Sequence, residues 1–178
     1  CLLGVYAQKE RNSLTQDTAT RDFYHVDLHT IRTSLQDQFI QTWSSNINNS
    51  PKTVNYCIYK ESFAFENYIN KLDDKDVFTL CRFRTVNHKL PIESGRWKNI
   101  PRENRTCNLC NSNEIGDEFH YILECTYFSE ERKECIDEKF CTNINTLKFK
   151  AVMNFSKQSK LKKLCKLIRI INTKMDSL

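Results

Sequence analysis

The chain has 178 residues, a formal net charge of +5, 39% hydrophobic and 28% charged residues, and a mean hydropathy of −0.61. This composition describes a globular domain and excludes a disordered or membrane-spanning chain, because no apolar run approaches the ~18 residues that cross a bilayer. With only three glycines there is no G-x-G-x-x-G, no P-loop and little hairpin chemistry, so the expected fold class is mostly α: a small helical domain.

The sequence opens Cys1-Leu2-Leu3 without an initiating Met or a basic n-region, which reads as a piece of a longer protein with residues 1–21 as an extension. Residues 22–46 predict a helix, since Leu28, Ile31, Leu35, Phe39, Trp43 and Ile47 recur at three- and four-residue spacings. Asn48-Asn49-Ser50-Pro51 ends it. Residues 54–59 are β-rich and fit either a short strand or the start of a helix. A short helix is expected over 63–72, and Asp74 is a candidate N-cap for another reaching Asn87. Pro91, Gly95 and Pro101 mark a loop with little regular structure. Helices follow over 129–141, 146–155 and 156–171, the last with Leu161, Leu164, Leu167, Ile168 and Ile171 on one face. The organisation is then a helical region with a basic loop (22–105), a metal-binding segment with its helix (106–141) and basic C-terminal helices (142–178).

Charge is segregated along the chain. Residues 82–105 hold seven bases against two acids, 106–138 hold nine acids against two bases, and 148–174 hold nine bases and no acid. Basic clusters are the electrostatic footprint of nucleic-acid binding, although Lys-rich helix faces are commonly just solvated. Candidate contacts are Arg82, Arg84, Arg96, Lys98, Arg102 and Arg105 on the first basic segment, with Lys162, Lys163, Lys166 and Arg169 on the second. Trp97, between Arg96 and Lys98, reads equally as a stacking surface or as a buried anchor.

Nine cysteines, an odd and unevenly spaced set, fit reduced thiols in an intracellular protein better than a disulfide scaffold. Cys107, Cys110, His120 and Cys125 form C-x2-C-x9-H-x4-C. Thiolates two residues apart can bite one ion from a tight turn, and a His and Cys five positions apart can converge on it from a helical turn and its end. Three thiolates and an imidazole suit structural Zn²⁺ and leave no open position for a catalytic water. Gly116 is the candidate for a positive-φ turn between the pairs. Because the segment is acidic, the metal is assigned a structural role and nucleic-acid contacts fall to the flanks. Cys135 and Cys141 read as small core residues. No catalytic motif is found: H-x-E with P-C-x-x-C and H-E-x-x-H are absent, Asp73-Asp74 reads as helix capping, and His25 with His29 lacks a third ligand.

Phe83-Arg84-Thr85-Val86-Asn87-His88-Lys89-Leu90-Pro91-Ile92-Glu93-Ser94-Gly95-Arg96-Trp97 leads through Asn99-Ile100-Pro101-Arg102 to the cysteine pair, and Gly116-Asp117-Glu118-Phe119-His120-Tyr121-Ile122-Leu123-Glu124-Cys125 leads on to Tyr127-Phe128 and Arg132. This pattern resembles the region downstream of the polymerase core in reverse transcriptases of non-LTR (LINE-type) retrotransposons. The resemblance covers about 35–171 and is most specific over 83–132. It implies Cys107, Cys110, His120 and Cys125 as zinc ligands and a role in holding template RNA or target DNA during target-primed reverse transcription. It also implies the remainder of the reverse transcriptase as a partner, and a nuclear and cytoplasmic location. It carries over no catalytic residue. A zinc-stapled structural or protein-interaction domain without nucleic-acid binding is the alternative.

Overall fold

A computed structural model describes residues 27–178; the expected extension 1–21, Cys1 and His25 lie outside the described residues. The chain divides into two units, Cys1–Phe39 and Ile40–Leu178. Within the first, the described part is the beginning of α1 (Leu28–Asn49). The helical spacing read from the sequence is present, yet α1 buries none of its residues, and Leu28, Leu35 and Phe39 are exposed.

All the remaining elements belong to the second unit. α2 (Val54–Tyr59) resolves the strand-or-helix alternative as a helix. The helix expected over 63–72 is instead a run of turns, with Ile69 N–H on Glu66 O and Leu72 N–H on Tyr68 O. Tertiary contacts override local propensity there: Glu66 reaches Lys60 at 2.7 Å and Arg84 at 3.2 Å, and the Arg84 guanidinium lies over the Tyr59 and Tyr68 rings. α3 (Asp74–Arg84) follows, but its cap is Asp73, whose Oδ1 accepts from Asp76 N at 3.0 Å, rather than Asp74. The loop expected around Pro91 contains a helix, α4 (Pro91–Trp97). Pro91 opens it, where a missing N–H costs nothing. Glycine and proline here mark the start and a close contact, not a break. A 3₁₀ turn (Arg102–Asn104) leads into the metal-binding segment.

The helix expected over 129–141 is two, α5 (Ser129–Cys135) and α6 (Glu138–Cys141). Ile136 breaks it with extended backbone and is buried, while Cys135 is buried and Cys141 half-buried. α7 (Thr146–Met153) is capped by Asn145 through Lys148 N–H. α8 (Gln158–Asp176) runs beyond the expected 156–171 because Met175 continues the buried face. Leu161, Leu164, Leu167, Ile168 and Ile171 are all buried, as their spacing predicts. α8 packs against α3 and α5, and α2 against α7, with Tyr59 edge-on to Phe149. The described residues are mostly helical and contain no strand beyond an isolated Thr106–Ile115 bridge.

Candidate metal centre

Cys107 and Cys110 sit on a short antiparallel loop. Cys107 N–H donates to Glu114 O at 2.8 Å and Gly116 N–H to Arg105 O at 2.8 Å. The left-handed residue of this loop is Asn113 (φ 58°), not Gly116, whose φ is not positive. Gly116 is required for a different reason: a Cβ there would lie 2.8 Å from Pro91 Cγ. The loop is thereby pressed onto the start of α4, and Ile92 N–H donates to Gly116 O at 3.1 Å.

His120 and Cys125 come from a π-helical turn (His120–Glu124) and the residue after it. Asp117 Oδ1 accepts the His120 N–H at 3.0 Å, fixing where the turn begins. Its end is closed by Arg132, buried on α5, which donates to Ile122 O at 2.8 Å and Cys125 O at 2.7 Å. The wider turn lets the side chains of His120 and Cys125 converge.

The four ligand atoms lie within 4.8 Å of one another; Cys107, His120 and Cys125 are buried and Cys110 is half-buried. Cys107 and Cys125 Sγ are 3.8 Å apart, and Cys110 Sγ lies 3.3 Å from His120 Nε2. A tetrahedron with metal–sulfur bonds of ~2.3 Å has a sulfur–sulfur edge of about 3.8 Å, so the donor set has the size of a metal site. Leu109 N–H points at Cys107 Sγ at 3.4 Å, and the Tyr121 hydroxyl lies 3.3 Å from the same sulfur. The hydrogen bond with Cys125 holds the Cys107 thiol well below its ordinary value, and the same bond, with burial, raises Cys125. Burial opposes a charge on His120, yet the Cys107 and Cys110 sulfurs raise it to about 9. Thiolates and a neutral imidazole ligate a metal only after losing their protons, so metal binding at this cluster is coupled to proton release. His120 Nδ1 is the one buried side-chain polar atom with no hydrogen bond among the described residues, although Glu124 Oε2 stands 3.5 Å away. An ion on Nε2 leaves the proton on Nδ1, facing that carboxylate, the usual outer support of a metal-bound histidine.

A second buried polar group braces the segment. Glu118 accepts from Asn55 of α2 at 2.6 Å and lies 2.8 Å from His88 Nε2. Burial would raise its carboxyl, but these partners hold it below the usual range. Sequence reading named His88, Glu118 and Arg132 only within the pattern of resemblance and gave neither the trio nor the Arg132 clamp a structural role; four charged or polar side chains without periodicity give no sign that they are inside.

The basic candidates separate into two groups. Arg84 is 2% exposed and donates to Met153 O, so it is unavailable to a phosphate. Arg105 donates to Ile100 O and Ile92 O, tying α4 to the metal-binding loop. Arg96 is held by Glu93, Arg102 lies 3.7 Å from Asp117, Lys166 2.9 Å from Glu134, and Arg169 pairs with buried Asp76. Arg82, Lys98, Lys162 and Lys163 are exposed and form no direct ion pair among the described residues, although Lys163 is near enough to Asp137 to help lower its carboxyl. Trp97 is exposed, which removes the buried-anchor alternative. His29 is exposed, and Asp73 and Asp74 lie at the start of α3.

Among the described residues no helix is long and apolar enough to cross a membrane. Compared with protein-family models, curated proteins and solved structures, the chain matches none.

Proposed function

We propose that this chain is a zinc-stabilised, nucleic-acid-binding module from the C-terminal region of a non-LTR retrotransposon reverse transcriptase, without a catalytic site of its own. The observation that carries the reading is the convergence of Cys107, Cys110, His120 and Cys125 to the dimensions of one tetrahedral ion. Three soft thiolates and one imidazole favour Zn²⁺ over harder cations, and four protein ligands saturate it. The ion's work is then to hold the loop and the π-helical turn together. Phosphate contact falls to the exposed cations Arg82, Lys98, Lys162 and Lys163, with RNA or DNA and the remainder of the polymerase as partners. Such a module acts inside the cell, in nucleus and cytoplasm.

A zinc-stapled interaction domain without nucleic-acid binding has one observation in its favour: Lys160, Lys166 and Arg169 are already paired with Asp137, Glu134 and Asp76. A titration of the reduced, zinc-loaded chain with single-stranded and duplex RNA and DNA, repeated across salt concentrations, separates the two. Binding whose logarithm falls linearly with log salt supports the module; absence of binding at low salt supports the interaction domain.

A further inference from the structure

Trp97 is 73% exposed, yet its ring is not free to turn. The indole N–H donates to Glu93 Oε1 at 3.0 Å. Glu93 is buried and also accepts from Arg96, from Nε at 2.9 Å and Nη2 at 2.6 Å. The Arg96 guanidinium carbon sits 4.5 Å from the Trp97 ring centroid. One buried carboxylate therefore locks an indole and a guanidinium together and holds both at the surface. The helix that carries them is terminated just as firmly. Asn99 adopts φ 54°, its N–H reaches Arg96 O at 3.1 Å, and Ile100 N–H reaches Gly95 O at 2.9 Å, the double bond pattern of a Schellman cap.

Large aromatic rings normally bury their area. A tryptophan held rigidly in water has lost its entropy before any ligand arrives, which lowers the cost of stacking on it. The surroundings select the ligand. Arg96 lies against the ring, exposed Lys98 follows it in the chain, and Glu93 is engaged by both Arg96 and the indole. A polyanion with flat aromatic groups fits this arrangement; a neutral sugar would leave Lys98 unused.

We propose that Trp97 is a base-stacking site for single-stranded nucleic acid, with the Glu93-held Arg96 fixing the ring and the neighbouring Lys98 left for the backbone phosphates. The inference rests on the nucleic-acid reading above and assigns its contact point. It also gives the metal centre a task. Arg105 leaves the metal-binding loop and donates to Ile100 O at 2.8 Å and Ile92 O at 3.1 Å, at the two ends of the Trp97 helix. A Cβ on Gly95 would stand 2.7 Å from Arg105 Cγ, so this approach needs glycine. The ion stiffens the loop, and the loop holds the platform.

The test uses the full chain loaded with zinc, carrying Trp43→Phe so that Trp97 is the one remaining tryptophan of the two. It is titrated with oligo(dT) and with an abasic oligodeoxynucleotide of equal length. Oligo(dT) should quench the fluorescence, and the abasic strand should bind through charge with little quenching. In the chain with native Trp43, Trp97→Ala should weaken oligo(dT) binding by roughly 5- to 150-fold and leave the abasic strand unchanged. Equal affinities of Trp97→Ala and the parent for oligo(dT), with salt-dependent binding intact, would overturn the stacking site while leaving the module reading standing. Failure of both strands to bind the parent chain would overturn the module reading itself, and the stacking site with it.

Discussion

Arg132 supplies its guanidinium to the carbonyls of Ile122 and Cys125 beneath the turn that carries His120. Arg132→Met keeps the apolar stem but strips buried carbonyls of their donor, each worth about 1–3 kcal/mol. Urea unfolding should show a loss of at least ~2 kcal/mol, and chelator competition should show metal affinity reduced about 10- to 100-fold, the range for groups that support ligands. The ligands themselves should behave more severely. The reduced chain should hold one Zn²⁺ by metal analysis, and Cys107→Ser or Cys125→Ser should release it and lower the melting temperature. A zinc content of zero in reduced parent protein would contradict the assignment. Glu93 gives a pH prediction. Burial would raise its carboxyl, but the Arg96 and Trp97 hydrogen bonds and nearby Lys52 hold it below the ordinary value of 4.5. A lowered folded-state pKa adds stability that is present above the ordinary carboxylate range and lost as pH falls through the folded value. Glu93→Gln should therefore flatten the acid limb of stability against pH below about 4.5 without changing the limb above neutrality. The four metal ligands were legible in the sequence because their spacing is local. Arg132, Glu93 and the Asn55–His88–Glu118 trio were not, since a buried charge reads in sequence just like a solvated one.

At the scale of elements, the region around α4 departs furthest from local expectation. Pro91 and Gly95 suggested a loop, but each serves a contact made across the chain. Pro91 packs on Gly116, and Gly95 makes room for Arg105. Gly116→Ala should consequently destabilise by about 1–3 kcal/mol through overpacking, although its backbone angle tolerates alanine. Pro91→Ala removes the Cγ that the new methyl meets, so the double variant should unfold at higher denaturant than the sum of the single effects implies, a non-additivity that thermal or urea unfolding reads directly. Strictly additive losses would mean that the two residues are not in contact. The same argument explains the other misread elements. The apolar residues of 63–72 suggested a helix, yet that segment surrounds Arg84, and Ile136 splits 129–141 because its side chain enters the core. By contrast α8 was readable up to its last turn, since its 3.6-residue pattern continues along one buried face.

Across the whole molecule, the alternation of basic, acidic and basic segments reads in sequence as two phosphate-binding flanks around a repulsive centre. Folding brings opposite charges together instead. α5 packs on α8, Glu134 meets Lys166, and Asp137 meets Lys160. Part of the C-terminal charge is internal neutralisation, and only part is offered to a ligand. The cations of α8 should therefore separate by function. Arg169→Gln leaves Asp76 buried without its cation and should cost about 1–3 kcal/mol in unfolding experiments. Lys166→Gln breaks an exposed, solvent-screened pair and should leave the unfolding midpoint nearly unchanged. Lys162→Gln with Lys163→Gln, both exposed and in no direct ion pair among the described residues, should leave the unfolding midpoint nearly unchanged. If nucleic acid contacts this face, the same double variant should flatten the plot of log affinity against log salt by up to about 2, close to 0.9 for each phosphate contact removed. Changing Glu134 to Gln frees Lys166 as well as removing an acid, so affinity should rise while the fold remains intact. A double lysine variant that keeps the parent slope would move phosphate binding off α8, leaving Arg82 and Lys98 to carry it.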